Sequence, residues 1–350
     1  MPKQVEEKTT EKVEVPAKAE TPAEKKPAAK KAARKPRAKK ASVKKPLVKE
    51  GASAKETIEA KVNMFFESNK DNKDLKKIIS VAKLMEAGAH VGLAANLWNP
   101  KMAPFIYRSK NSRNLIIDML KIIVFSNRAY NFLHDIAKQD GKILFVGTHN
   151  DSVKKYIQEE ATRAESFYIN QRWLGGTLTN FKTVNNSINK LNRLTSLLES
   201  ENVGRYTKKQ QLDMQRQVAK LEKFIGGIKN MKGLPQVVVV TDPVAEHNAV
   251  KEARDLHIPV VALANTNANP DLIDFIVPCN THSIKTQWLM LGILADAIAS
   301  AHGQPTKIVG KADGEIILPE VIRVTRKVVN VRGKQADTFV KSEPKKEETK

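Results

Sequence analysis

Five short runs of this 350-residue chain are apolar through their interiors instead of alternating with polar residues: Lys142–Val146, Ser166–Ile169, Gln236–Val240, Pro259–Leu263 and Asp274–Val277. A strand with one wet face shows a period of two, so a continuous apolar run reads as a strand covered on both faces, the pattern of a parallel sheet between helices. Helical stretches at about 151–164, 245–256 and 281–302 intervene or follow and complete a βαβ rhythm. The expected class is α/β. The length permits one large domain or two modest ones.

Order is expected to begin near residue 75. Ile78, Ile79, Val81, Ala82, Leu84 and Met85 recur at helical spacing, and Gly88 is placed to end that helix. Asn114–Asp118 reads as a short strand, followed by a long helix through Ile122, Phe125, Ala129, Phe132, Leu133 and Ile136 that closes near Gly141. About 65 residues then separate the second apolar run from the third. Within them Phe181, Val184, Ile188, Leu191 and Leu198 fall on alternating three- and four-residue steps, with Thr195 at a polar seam position, and Met214, Val218, Leu221, Ile225 and Ile228 repeat the spacing. Asn202–Gly204 lies in the turn between them, and Thr207 with Gln210 reads as a capping box. Two heptad-patterned helices joined by a turn make an inserted antiparallel coiled-coil hairpin, about 181–229. Two ordinary helices lying on the domain would need broader apolar faces than these seams offer.

The ends have a different composition. Residues 1–56 hold 17 Lys/Arg and 8 Glu, with 12 basic residues and no acidic one between Glu24 and Glu50. Isolated hydrophobes such as Val43, Leu47 and Val48 bury too little to offset chain entropy, so residues 1–74 are expected to form a disordered basic extension. The ordered domain is expected over 75–303, and 304–350 as a partly disordered C-terminal extension. The whole chain carries a formal net charge of +22 from 60 basic and 38 acidic side chains. Such an excess points to a polyanionic partner, nucleic acid before membrane, bound in a salt-sensitive way. Cys279 is the only cysteine, which rules out an internal disulfide and a Cys-based zinc site and favours a reducing compartment. The apolar stretch Trp288–Ala295 stops at Asp296, far short of a bilayer span, and the N-terminus has neither a secretory core nor the composition of a transit peptide. A cytoplasmic protein without membrane contact is expected, and no homo-oligomer.

Catalytic patterns are sparse. Val146–Asn150 holds one glycine, Gly147, where a dinucleotide loop needs three, and no Gly-x-x-x-x-Gly-Lys-Ser/Thr loop occurs. Asp242, Glu246 and His247 follow the third long strand, where open α/β sheets bind ligands. A metal there is conceivable chemistry, but Asp242-Pro243 is a natural turn into a helix and Glu246 suits that helix's positive first turn. Asn265–Asn269 follows the next strand at the same edge, and such loops commonly satisfy their own backbone. No catalytic residue, cofactor or metal is assigned. An enzyme binding a phosphorylated or nucleotide ligand through Thr148, Asp242 and Asn265 is the alternative reading, and a freestanding chromatin-like DNA binder a third.

Features for nucleic acid are stronger. Asn170–Asn180 places two glycines, Gly175 and Gly176, after Arg172 and Trp173, with amides and hydroxyls on both flanks and no acid within. Paired glycines allow close backbone approach, Arg172 offers a fork-shaped phosphate donor and Trp173 a stacking face; a tight structural turn is the competing reading. Lys101, Arg108, Lys110 and Arg113 interleave with amides and with Trp98 and Tyr107 in a region of few helix signals. These four cations, unpaired with nearby acids, are read as RNA contacts. Trp98 is read as packing before stacking, and Met102 and Phe105 as packing. The expected RNA-binding set is Lys101, Arg108, Lys110, Arg113, Arg172, Trp173, Gly175, Gly176, Asn180 and Lys182.

Asn170–Asn180 also resembles the marker segment of the bacterial-type small-subunit ribosomal protein S-two family. Leu84–Gly92 followed by Trp98–Met102 is similar to that family's opening signature. Gly226–Pro235 resembles the stretch before its second signature, and Asp242, Glu246, Lys251–Ala253 and Ile258–Val260 resemble the second signature itself. The segments occur in family order and cover roughly residues 78–303; the basic N-terminal extension and the tail depart from the pattern. The resemblance implies a three-layer α/β/α, flavodoxin-like sheet of five parallel strands with a protruding hairpin. It further implies a structural role in the small ribosomal subunit, not catalysis, with small-subunit rRNA and neighbouring ribosomal proteins as partners. A place between head and body, and docking nearby of the large mRNA-binding protein numbered one where the organism has it, also follow from it.

Overall fold

The computed structural model describes residues 78–107, 114–200 and 205–319, and the backbone of 324–331 and 334–341. The expected basic extension 1–74 and the cations Arg108, Lys110 and Arg113 lie outside the described residues.

All five apolar runs form strands of one parallel sheet: β4 (Ile143–Val146), β5 (Phe167–Ile169), β6 (Val237–Val240), β7 (Val260–Ala264) and β8 (Phe275–Pro278). Their order is β5-β4-β6-β7-β8, with every neighbouring pair parallel. This is the flavodoxin-like order, in which the chain starts beside the middle of the sheet and winds first one way and then the other. Successive side chains of a strand face opposite ways, and the core divides accordingly. Ile143, Phe145, Val237, Val239, Val261, Leu263 and Val277 belong to one buried cluster, shared with α2 (Met119–Lys138), α3 (Asp151–Arg163) and α7 (Ile284–Ala301). Leu144, Val146, Val238, Val240, Val260, Ala262 and Ala264 belong to a second, shared with α6 (His247–Asp255). Both faces are covered, which is why the strands never alternate. Each such aliphatic side chain contributes roughly 1.5–3 kcal/mol by burial.

The hairpin helices are α4 (Phe181–Glu199) and α5 (Lys208–Ile225), and the Thr207–Gln210 capping box is formed. Their seam changes character along its length. Ile188, Leu191, Ile225 and Ile228 are buried within the second core cluster, together with Leu144 and Val238. Farther out Thr195, Leu198 and Met214 are only half-buried, and Tyr206 and Leu212 are exposed. The base of the insertion is thus part of the domain's own core, which the heptad pattern alone did not convey.

Before the sheet, α1 (Val81–Ala87) starts at Ser80, whose side chain accepts from the Lys83 amide, and ends at Gly88 with φ of 75°. Ile78 and Ile79 are buried but precede the helix, because Ser80 caps it. A small antiparallel sheet follows, ordered β1 (Val91–Ala94), β3 (Asn114–Ile117), β2 (Ile106–Tyr107), with a 3-10 turn at Pro100–Phe105. Only β3 was legible in the sequence: β1, VGLA, has a glycine and an alanine where β3 has consecutive large apolar residues, and β2 is only two residues long.

The packed chain also continues past residue 303. Ile308, Ile316 and Leu318 are buried in the first cluster, and Ile308 packs against Gly292 of α7 so closely that a Cβ there would sit 2.2 Å from Ile308 Cδ1 and displace the end of that side chain. The fully buried Asp296 accepts from the amides of Lys307, Ile308 and Val309 at 2.7–2.8 Å and pairs with Arg163 at 2.8 Å. Beyond it, β9 (Val324–Val331) and β10 (Lys334–Lys341) pair antiparallel, with Val331 opposite Lys334.

Candidate nucleic-acid interface

The loop after β5 is held from both ends. Buried Asn170 donates to the Lys154 carbonyl at 3.0 Å, tying the start of the loop to α3. At the other end the Asn180 amide donates to the Gly176 carbonyl at 2.8 Å and the Asn180 side chain accepts from Thr183 Oγ1 at 2.8 Å, within the first turn of α4. Gly176 has φ of 84°, the left-handed region where a side chain is strained, while a Cβ on Gly175 would meet nothing.

Between these ends the loop is wrapped around a carboxylate from α6. Glu252 Oε1 accepts from the Trp173 indole at 3.0 Å and the Gly176 amide at 2.8 Å. Oε2 accepts from the amides of Leu178 at 3.0 Å and Thr179 at 3.2 Å, and from Thr179 Oγ1 at 3.3 Å. Burial pushes this carboxyl up, but the donors from Trp173, Leu178, Gly176 and Thr179 outweigh it and hold its pKa below the ordinary value. The glycine-rich turn therefore is an anion nest, and the anion it holds is the protein's own. The lack of acids in Asn170–Asn180, read as suiting an external polyanion, also suits an internal one supplied from more than seventy residues away in sequence. The inward ring of Trp173 is part of the second core cluster and buried, so it offers solvent little face. Arg172, Gly175, Asn180 and Lys182 are exposed.

The second expected patch is only partly described. Lys101 is exposed and ion-paired with Asp271, so it has an acidic neighbour that the linear sequence did not reveal. Both partners are more than half exposed, and such a pair is weak. Met102 is fully buried and Phe105 packs edge-on against Phe125, as expected for packing residues. Trp98 is half-buried; Tyr107, 62 % exposed, pins nothing.

The ligand crevice of such a sheet lies outside the C-terminal ends of the strands, at the switch between β4 and β6. Here it is filled by the chain itself. Glu246 Oε1 accepts from the Thr148 amide at 2.6 Å and Thr148 Oγ1 at 2.7 Å, reaching across to the β4–α3 loop and not to the first turn of its own helix. Asp242 caps its turn by accepting from Val244 and Ala245 and also takes a bond from Thr281 at 3.3 Å. A Cβ on Gly147 would lie 2.3 Å from Thr241 Oγ1. Asn265 Oδ1 accepts from the Thr266 amide at 2.8 Å. Over Thr266 lies the N-terminal sheet: the Leu93 amide donates to its hydroxyl and the Asn99 amide to its carbonyl. His90 Nδ1 and Gln287 Oε1 are buried here without a partner among the described residues. Asp242, Glu246 and His247 do not converge: both carboxylates are committed to internal donors and His247 is exposed. Among the described residues no group of three or more His, Cys, Asp or Glu is arranged to hold a metal. Burial and the Asp242 carboxylate push the Cys279 thiol far up, so it is a packing residue and not a nucleophile.

The model of the family described as Ribosomal protein S2 matches residues 84–301. Small ribosomal subunit protein uS2 of Ureaplasma parvum serovar 3 is 53% identical over 268 residues, covering 77% of this chain and 75% of the relative. The protein of the same name from Malacoplasma penetrans is 45% identical over 284 residues, covering 78% and 77%. That of Mycoplasmoides gallisepticum is 43% identical over 306 residues, covering 86% and 92%. With the family model matched over 84–301 and relatives 43–53% identical over three quarters or more of each chain, the chain belongs to the ribosomal protein S2 family.

Proposed function

We propose that this chain is a structural, non-enzymatic constituent of the small ribosomal subunit in the cytoplasm, where it binds rRNA and neighbouring ribosomal proteins as a scaffold. The observation that carries this reading is the contrast at the domain surface: the crevice where this fold elsewhere holds ligands is closed by internal bonds, whereas a rigid loop exposes cations. The RNA-facing groups are Arg172, Asn180 and Lys182 around the Gly175–Gly176 turn, whose Gly175 is exposed, with Trp173 fixing the loop from inside. Lys101, Arg108, Lys110 and Arg113 form a second patch. The heptad hairpin serves as an antiparallel coiled coil whose outer half extends the contact surface, and the basic arm of residues 1–56 adds diffuse attraction to phosphates. Docking of the large mRNA-binding protein numbered one nearby belongs to the same proposal. Among the described residues no helix is long and apolar enough to cross a membrane.

Gradient fractionation at low and high monovalent salt tests the reading. The tagged protein is expected with small subunits at low salt and progressively free as salt rises, because its excess of 22 positive charges makes counterion release a large part of binding. Free migration at low salt would end the ribosomal reading, and a nucleoid fraction would favour a DNA binder.

A further inference from the structure

We propose that Glu252 is the positioning residue of the Trp173–Thr179 loop: its carboxylate is the anion the loop is built around, and it fixes the backbone from which Arg172, Asn180 and Lys182 meet RNA. The proposal rests on the RNA-facing reading of that loop. Its basis is geometric. Four backbone or side-chain N–H groups and one hydroxyl converge on the two oxygens of one carboxylate at 2.8–3.3 Å. Three of them are successive or near-successive amides turned inward by the positive φ of Gly176. Trp173 and Leu178 anchor the loop in the core and the Leu174 and Gly176 carbonyls accept bonds within it, but for the amides of Gly176, Leu178 and Thr179 the acceptor is Glu252. Both oxygens are used, so a neutral amide of the same shape serves only half the donors and sets its own N–H groups against the rest.

The sign of the effect separates positioning from simple charge. Removing a carboxylate beside a polyanion-binding surface should strengthen RNA binding if charge alone mattered. If Glu252 positions the loop, E252Q should instead weaken subunit binding by about tenfold, the loss of roughly one well-made hydrogen bond to a charged group. The test has two readouts on the full-length chain. In the free protein, amide exchange at Gly176, Leu178 and Thr179 should quicken in E252Q while the sheet's amides stay protected. In subunit binding, the E252Q penalty should largely vanish in an R172A/K182A background, because residues that act through one another are not additive.

Protected loop amides in E252Q, binding that is unchanged or tighter, or a penalty that simply adds to R172A/K182A would each overturn the proposal. Failure of the underlying RNA reading looks different: R172A/K182A would then bind like the unaltered chain, while E252Q still loosened the loop. Should E252Q not fold, acid titration of the unaltered protein replaces it. The Trp173 indole N–H and the three loop amides should then shift together with the Glu252 carboxyl resonance, and independent titration would sink the idea.

Discussion

The crevice above β4 and β6 and the loop after β5 look alike in composition, both being short, glycine-bearing and rich in amides and hydroxyls, yet they do opposite things. In the crevice the carboxylate of Glu246 ties Thr148 across the switch point, the N-terminal sheet lies over Thr266, and the polar side chains of Asp242, Glu246, Asn265 and Thr281 are buried and turned to internal partners. In the loop the carboxylate of Glu252 takes up the inward donors, and the outward side keeps Arg172, Asn180 and Lys182 exposed. The buried Glu246 closes a site; the half-buried Glu252 braces a surface. The difference is what lies on the far side of the acceptor: protein in the first case, water in the second. On the proposed function, a fold that elsewhere binds small ligands at its strand ends would serve instead as a scaffold that binds with its flank.

The comparison is sharpest in the double substitution Arg172→Ala with Lys182→Ala. Each lost charge-assisted phosphate contact should weaken subunit binding by roughly 1.5–3 kcal/mol and lower the salt slope by about one, with the thermal midpoint of the free protein unchanged. Unaltered occupancy in purified subunits would make the loop purely structural, like the crevice.

Glu246→Ala should do the reverse. It leaves the half-buried Thr148 amide and hydroxyl without their acceptor, so denaturant unfolding of the free protein should show a loss of about 1–3 kcal/mol, while the salt dependence of binding stays as it was. Normal stability combined with a large binding defect would mean that the crevice is a functional site after all.

A smaller effect is expected on acidification. The folded-state pKa of Glu252 lies below its unfolded value, so the stability it contributes is present above the unfolded pKa and is lost as pH falls through the folded one. Urea midpoints of the unaltered protein and E252Q, followed from neutral pH into the acid range, should therefore converge at the acid end. Parallel curves would show that the carboxylate's charge is irrelevant to the loop.

The smallest change belongs to Asp271→Ala, which frees Lys101 from an exposed ion pair. Stability should shift by roughly 0.2–1 kcal/mol at most, and subunit binding should be equal or slightly tighter. Clearly weaker binding would make Asp271, not Lys101, the group that matters at this patch.

By itself the sequence determined the five strands, the helices between them and the capping box at Thr207, because each is written in a local period or a short spacing. Continuous apolar runs such as Val237–Val240 state double-sided burial directly, while the order of the strands was implied by the family resemblance and is given by the pairing in the fold. The tertiary structure alone decided what the polar residues do. Glu252 meets Gly176 across 76 positions and Glu246 meets Thr148 across 98, and no periodicity links residues so far apart. The same holds for Lys101 with Asp271, 170 positions away, and for the base of the hairpin, where Leu191 joins the sheet's core although its heptad reads like that of the half-buried Leu198 and Met214 farther out. Hydrophobic pattern records which face of an element is covered; it does not record by what. For a carboxylate or an amide the partner is the whole of its function, and only the folded chain brings that partner within hydrogen-bond reach.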